Sequence, residues 1–107
     1  MIEQELQLLL INSLIEKTKN DIIKWISKTE KMIFKNIKRY DTKIDEFDIV
    51  ILYYKSKINY FFDVVYYVYE NEKLITSFHN KNVELFALVD SKFDKYLINS
   101  IYKIINR

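Results

Sequence analysis

The stretch INYFFDVVYYVYENEK, residues 58–73, places six aromatic rings between Tyr60 and Tyr69. Successive side chains of a β-strand point to opposite faces of the sheet, so a strand buried on one face needs an apolar residue only at every second position. This stretch is apolar at nearly every position, and the turn-forming residues ENEK (70–73) close it. We therefore predict a strand of an antiparallel sheet that ends in a hairpin turn.

The predicted strand divides into two faces of different character. One face holds aromatic and β-branched residues, as a core requires: Tyr60, Phe62, Val64, Tyr66 and Val68. The other face includes Val65, Tyr67 and Tyr69, beside Tyr54 or Tyr53 of the preceding strand. Because tyrosine combines an apolar ring with a polar tip, it suits a half-exposed interface.

Two interpretations of this second face remain open. In the first, Tyr54, Val65, Tyr67 and Tyr69 form a partner-binding surface. In the second, cross-strand aromatic pairs only stabilise the sheet, by about 0.2–1 kcal/mol each.

The flanking segments extend the pattern in both directions. FDIVILYYK (47–55) is apolar on both faces and is predicted to be central, with strands over 22–28 and 31–40 before it and 74–78 after the hairpin. Residues 2–19 have helical period and end at Asn20. Two C-terminal helices are predicted, over 82–92 and from an Asp94 cap to Ile105.

These elements predict one α+β domain over residues 1–107. Its order is an N-terminal helix, a four- to five-stranded antiparallel meander and two C-terminal helices packed on one sheet face. The last helix carries a second apolar line, formed by Leu88, Ile98, Tyr102 and Ile105, that exceeds one core contact. A homodimer, in which either this helix or the second aromatic sheet face meets its own copy, is a further expectation.

The composition argues against most catalytic chemistry. The chain has no cysteine, glycine or proline, which excludes thiolate sites and glycine-rich phosphate loops. Its single histidine, His79, is expected in a loop, and the acidic group Asp45, Glu46 and Asp48 is expected to mark a turn. We therefore predict no catalytic residues, no metal site, no cofactor and no enzymatic activity.

A basic stretch offers an alternative function. Between Lys17 and Lys43 there are nine basic and three acidic residues. A nucleic-acid-binding surface would use these side chains: Lys24, Lys28, Lys31, Lys35, Lys38 and Arg39. Lysine dominance weakens this alternative, since base readout favours arginine, and a solvated face is the preferred interpretation.

Nothing in the sequence indicates a membrane or secreted protein. No apolar run is long enough to span a bilayer, and the acidic N-terminus MIEQELQ lacks the features of a signal peptide. With no cysteine, a cytoplasmic location is expected.

Three segments together resemble a known pattern. LIEKTKNDIIKWISK (14–28), VVYYVYENEKLI (64–75) and ELFALVDSKFDKYLINSIYKII (84–105) are similar to an uncharacterised family of small α+β domains of bacteria and their phages. The resemblance rests on Leu14, Thr18, Trp25, Leu85 and Phe86. It implies a helix, an antiparallel sheet and a helix pair, and it implies no catalytic residues. The chain departs from the pattern in lacking a glycine in the 70–73 turn and in carrying Asp90-Ser91 for a basic pair.

The expected function is therefore a small non-enzymatic protein-binding module. Fifteen lysines against two arginines, with seventeen isoleucines and nine asparagines, indicate an A/T-rich gene of a bacterium or its phage. A phage or mobile-element accessory protein that inhibits a host defence system, as anti-CRISPR proteins do, is the most specific form of this hypothesis. Its partner would be a larger host protein or complex.

Overall fold

The computed structural model describes residues 2–28, 36–56, 58 and 61–107. They form a five-stranded antiparallel sheet in the order β1-β2-β3-β4-β5, with one helix before it and one after it. The elements are α1 (Gln4–Lys19), β1 (Trp25–Ser27), β2 (Asn36–Ile44), β3 (Phe47–Lys55), β4 (Phe62–Glu70), β5 (Lys73–His79) and α2 (Glu84–Ile105). The predicted α+β antiparallel meander is confirmed, and β3 is the middle strand.

The prediction of two C-terminal helices was wrong, because α2 is continuous. Asp94 lies inside the helix instead of capping a new one. No glycine or proline interrupts this segment, and the Ser91 hydroxyl donates to the carbonyl of Leu88 at 2.8 Å, within the helix. At the start of α2, the Asn82 side-chain oxygen accepts the N–H of Glu84 at 2.9 Å.

The second strand continues further along the chain than predicted. β2 spans Asn36–Ile44 and passes the predicted end at residue 40, while the predicted start, residues 31–35, lies outside the described part. The hairpin fixes this position, since Ile44 pairs with Phe47 across a two-residue turn in which Asp45 has φ 52°. The first strand is also shorter than predicted, because only Trp25–Ser27 pairs with β2.

One face of the sheet, here called the inner face, carries both helices. Its buried side chains are Trp25, Tyr40, Ile49, Ile51, Val64, Tyr66, Val68 and Phe78. The helices contribute Ile11, Leu14 and Ile15 from α1 and Leu85, Phe86 and Val89 from α2. The predicted division of β4 is confirmed at Val64, Tyr66 and Val68, and Trp25 belongs to the core.

Stacked rings join α2 to the inner face. Tyr53 stacks on Phe86 with 4.2 Å between ring centroids, and Tyr40 stacks on Phe93 at 5.0 Å. Aromatic pairs of this geometry contribute about 0.5–1.5 kcal/mol beyond the area that they bury. The first half of α2 is therefore firmly attached to the sheet.

The end of α1 is attached to both β1 and α2. Asn20 caps the helix as predicted, and Asp21 takes the left-handed conformation, with φ 54°, that glycine usually provides. The Thr18 hydroxyl donates to the carbonyl of Leu14 at 2.6 Å and accepts the indole N–H of Trp25 at 3.0 Å. Lys92 of α2 donates to the Thr18 carbonyl at 3.0 Å.

Candidate protein-binding surfaces

The four predicted partner-binding residues lie together on the sheet face opposite the helices. In the register of β3 and β4, Val65 is opposite Leu52, Tyr67 is opposite Val50 and Tyr69 is opposite Asp48. Tyr54 is on the same face, opposite Asp63. Each of the four is half-buried, and none belongs to the core beneath the helices.

We call this surface, formed by Tyr54, Val65, Tyr67, Tyr69 and Leu52, the outer patch. Both helices pack on the inner face, and the ring of Phe61, the residue before β4, lies 6.4 Å from that of Tyr54. Val50 also belongs to the outer face and is only 5% exposed. The patch is thus an apolar surface with tyrosine rings at its edges.

Charged pairs border the outer patch on two sides. On the β2 side, the Arg39 guanidinium donates two hydrogen bonds to Asp41, at 2.8 and 2.9 Å, and Lys28 lies 3.3 Å from the same carboxylate. Burial acts to raise the pKa of Asp41, but the hydrogen bonds and charges of Arg39 and Lys28 outweigh it and hold that pKa below its usual value. Asp41 therefore stays ionised at neutral pH.

His79 and Asp63 border the patch on the β5 side. His79, expected in a loop, is the last residue of β5, and its Nδ1 atom is 2.6 Å from the Asp63 carboxylate. An apolar centre with a polar and charged border is the anatomy of a protein–protein interface.

The structure does not bring together the four basic residues of the alternative that it describes. Lys38 and Arg39 lie on opposite faces of β2, and Lys38 binds Asp90 of α2 at 2.9 Å on the inner side. Lys28 and Arg39 share the Asp41 carboxylate. Lys24 is exposed before β1, while Lys31 and Lys35 lie outside the described residues. The placement of the four described residues offers no continuous basic face.

The carboxylate of Asp90 binds two side chains of β2. It accepts the hydroxyl of Tyr40 at 2.5 Å as well as the Lys38 ammonium group. Burial, followed by this hydrogen bond and the nearby negative charge, raises the pKa of Tyr40 well above its ordinary value. Asp90 and His79 are on opposite sides of the sheet, so the two cannot act as one acid–base pair.

A cleft of about 470 Å³ opens between the end of α1, β1 and α2. Its walls include Ile23, Trp25, Phe93 and Tyr96. The polar groups at its mouth bind one another, since Lys92 donates to Asp21 at 2.9 Å. Within the described part of the chain, no group of three or more metal-ligating side chains occurs in this cleft or elsewhere.

Many of the exposed large apolar side chains lie on the last three turns of α2, the helix whose second apolar line made a homodimer an expectation. We call residues 94–105 the arm. Seven of its large apolar side chains are exposed: Tyr96, Leu97, Ile98, Ile101, Tyr102, Ile104 and Ile105. The predicted second apolar line included three of these, but its fourth member, Leu88, packs against the core.

The arm extends beyond the rest of the protein. Gln7 of α1 bonds Asn80 just before α2, and the end of α1 meets Lys92, so the two helices run side by side only to about that residue. The radius of gyration is 15.1 Å, and the longest dimension is 50 Å. A compact chain of this length has a radius of gyration of about 13 Å.

Comparisons with protein families, with curated proteins and with solved structures find no match to this chain. The resemblance to the bacterial and phage domain family stays a prediction. Of the helices in the described part of the chain, none is both long and apolar enough to cross a membrane.

Proposed function

We propose that the protein is a non-catalytic protein-binding module that docks on a larger host protein or complex through its outer patch. One observation carries the proposal: Tyr54, Val65, Tyr67 and Tyr69 converge on the sheet face opposite both helices. Tyrosine is enriched in interfaces because it buries a large ring without leaving a polar group unsatisfied. The ion pairs around the patch would form the rim of the interface.

The size of the outer face suits this function. β2, β3 and β4 have nine residues each, whereas β1 has three and β5 has seven. With about 4.8 Å between strands and about 3.3 Å per residue, the face measures at most roughly 20 by 30 Å. A standard interface takes about 800 Å² from each partner. The outer face and its border therefore supply a surface of the required order.

We further propose the biological setting of a phage or mobile-element accessory protein that inhibits a host defence system, acting in the cytoplasm. The support for this setting is compositional: the excess of lysine, isoleucine and asparagine, whose codons are A/T-rich, and the absence of glycine and proline.

The test compares two double variants in affinity purification from cells of the source organism, with and without nuclease. Tyr67→Ser with Tyr69→Ser should lose a protein that the unchanged chain retains after nuclease treatment. Tyr96→Ser with Tyr102→Ser, which alters two exposed tyrosines of the arm, is the matched control and should retain it.

Two results would contradict the proposal. One is retention of every interaction by the Tyr67→Ser, Tyr69→Ser variant while its circular dichroism and unfolding midpoint stay close to those of the unchanged chain. Removal of two cross-strand aromatic contacts should lower stability by only about 0.2–1 kcal/mol each, so the variant is expected to fold. The other is loss of all partners on nuclease treatment, which would favour the basic stretch instead.

A further inference from the structure

We propose that the arm is a self-association site, at which α2 pairs in antiparallel orientation with α2 of a second copy of this chain about a two-fold axis at Ile101. This inference is independent of the outer patch, because the arm and the patch are different surfaces.

The first argument is the amount of apolar surface. Six arm side chains are between 47% and 74% exposed: Leu97, Ile98, Ile101, Tyr102, Ile104 and Ile105. Together they expose on the order of 700 Å², close to the ~800 Å² that each partner contributes to a standard interface. Neighbouring aliphatic side chains of this extent are typical of interfaces between identical subunits.

The second argument is the direction in which this surface points. Leu97, Ile101 and Ile104 follow one another at four- and three-residue spacing, as do Ile98, Tyr102 and Ile105, so all six form one stripe. The opposite side of the arm is polar: Lys95, Asn99, Lys103 and Asn106.

The centre of the stripe is rotated from the buried face of the same helix. At about 100° per residue, the rotation from Leu85, Val89 and Phe93 is roughly a third of a turn. Only the edge of the stripe, at Ile104, keeps the direction of the core residue Phe86. All six side chains of the stripe are exposed in the single chain, so a second copy can cover them.

The third argument is self-complementarity in the antiparallel orientation. With Ile101 on the two-fold axis, Leu97 is opposite Ile105 and Ile98 is opposite Ile104. Five of the six side chains of the stripe then meet an apolar partner, and Tyr102 is opposite Ser100.

The antiparallel arrangement also leaves room for the rest of each copy, the sheet with α1 and the first half of α2, which we call its body. Nine residues, 97–105, overlap over about 13 Å. The body of each copy then lies beyond the end of the other copy's helix. In a parallel pair both bodies would have to fit side by side at the same end.

The primary experiment is sedimentation equilibrium of the purified full chain over a range of micromolar concentrations. A rise in mass toward that of two chains is expected, and Ile101→Asp should restore the monomer mass. Leu9→Asp is the matched control, because Leu9 is an exposed leucine of α1, at 65% exposure, and this change should leave the dimer intact. The Tyr67→Ser, Tyr69→Ser variant should also leave it intact, which separates this inference from the proposed function.

Cysteine cross-linking tests the geometry, and the natural chain has no cysteine to interfere. Ile101→Cys should form an intermolecular disulfide with itself on oxidation. Two copies of Leu97→Cys would lie about 12 Å apart along the axis, beyond the ~7 Å limit for a disulfide, but Leu97→Cys mixed with Ile105→Cys should cross-link.

Three results would overturn the inference. A monomer mass at every concentration would show that the chain does not self-associate. A dimer that Ile101→Asp leaves intact would place the contact elsewhere. Self-cross-linking of Leu97→Cys as efficient as that of Ile101→Cys would replace the antiparallel pair by a parallel one.

Discussion

At the scale of single residues, two buried tyrosines of the inner face differ in their hydrogen bonds. The Tyr66 hydroxyl is fully buried and has no partner among the described residues, whereas the Tyr40 hydroxyl donates to Asp90. Tyr66→Phe should therefore keep or raise the free energy of unfolding, by up to about 1 kcal/mol. Tyr40→Phe should lower it by about 1.5–3 kcal/mol, since it removes a hydrogen bond to a charged group. Urea unfolding measures both, and a loss of more than about 1 kcal/mol in Tyr66→Phe would mean that its hydroxyl has a partner.

Tyr66 also predicts a dependence of stability on alkaline pH. Burial raises the pKa of Tyr66 from 10.0 to about 12. Because the folded-state pKa is the higher one, this contribution to stability is complete below about pH 10 and is lost as the pH rises toward about 12. Tyr66→Phe should thus reduce the fall in unfolding free energy over this interval, with Tyr96→Phe, at an exposed tyrosine, as the control. An equal fall in both variants would contradict the assignment to Tyr66.

Alternation along β4 predicted which residues face the core, because a strand has a fixed period of two. The same alternation predicted that Val65, Tyr67 and Tyr69 share the other face with a tyrosine of β3. The partners of polar groups could not be predicted in this way. The Tyr40–Asp90 bond joins positions 50 residues apart, and it depends on the path of α2 across the sheet.

At the scale of single elements, the turn between β4 and β5 predicts a stabilising change. Asn71 and Glu72 have φ of 49° and 70°, and Glu70 pairs with Lys73 across them. A two-residue hairpin turn with positive φ at both positions strongly favours Asn-Gly. Glu72→Gly should raise the free energy of unfolding by about 0.5–1 kcal/mol, because the left-handed conformation is unfavourable for glutamate.

The neighbouring hairpin provides the control for this change. Glu46 occupies the second position of the two-residue turn between β2 and β3, and its φ is not positive. Glu46→Gly should leave stability unchanged or lower it. If thermal unfolding shows the same increase in stability for both variants, the left-handed conformation of Glu72 is not the cause of the increase.

The elements themselves were largely predictable, and the failure at α2 has a physical reason. The apolar stripe of this helix changes direction between Phe93 and Leu97, and a change of phase in the pattern has the same signature as a break between two helices. Asp94, a common capping residue, stands at that point. The chain also makes its turns at Asp45 and at Asn71 and Glu72 without glycine or proline, so their absence here could not distinguish one helix from two.

At the scale of the whole molecule, the protein consists of a packed body and an apolar arm that share one helix. Hydrophobic patterning predicted the body, since its layers follow from which faces must be buried. The pattern predicted more apolar surface on α2 than one core contact requires, but it placed Leu88 on the excess line, and Leu88 packs against the core. An apolar stripe looks the same whether it meets the protein's own core or another chain.

This division predicts that the same substitution changes stability strongly at one leucine of α2 and very little at another. Leu85 is fully buried, whereas Leu97 is 58% exposed. Leu85→Ala should lower the free energy of unfolding by about 2–5 kcal/mol. Leu97→Ala, measured where the chain is monomeric, should change it by no more than about 0.5 kcal/mol.

If the arms pair, the thermal midpoint of the unchanged chain should rise with protein concentration. Leu97→Ala should weaken that dependence, while Leu85→Ala should preserve it. A loss at Leu97 as large as that at Leu85 under monomeric conditions would show that the arm packs on its own body in solution.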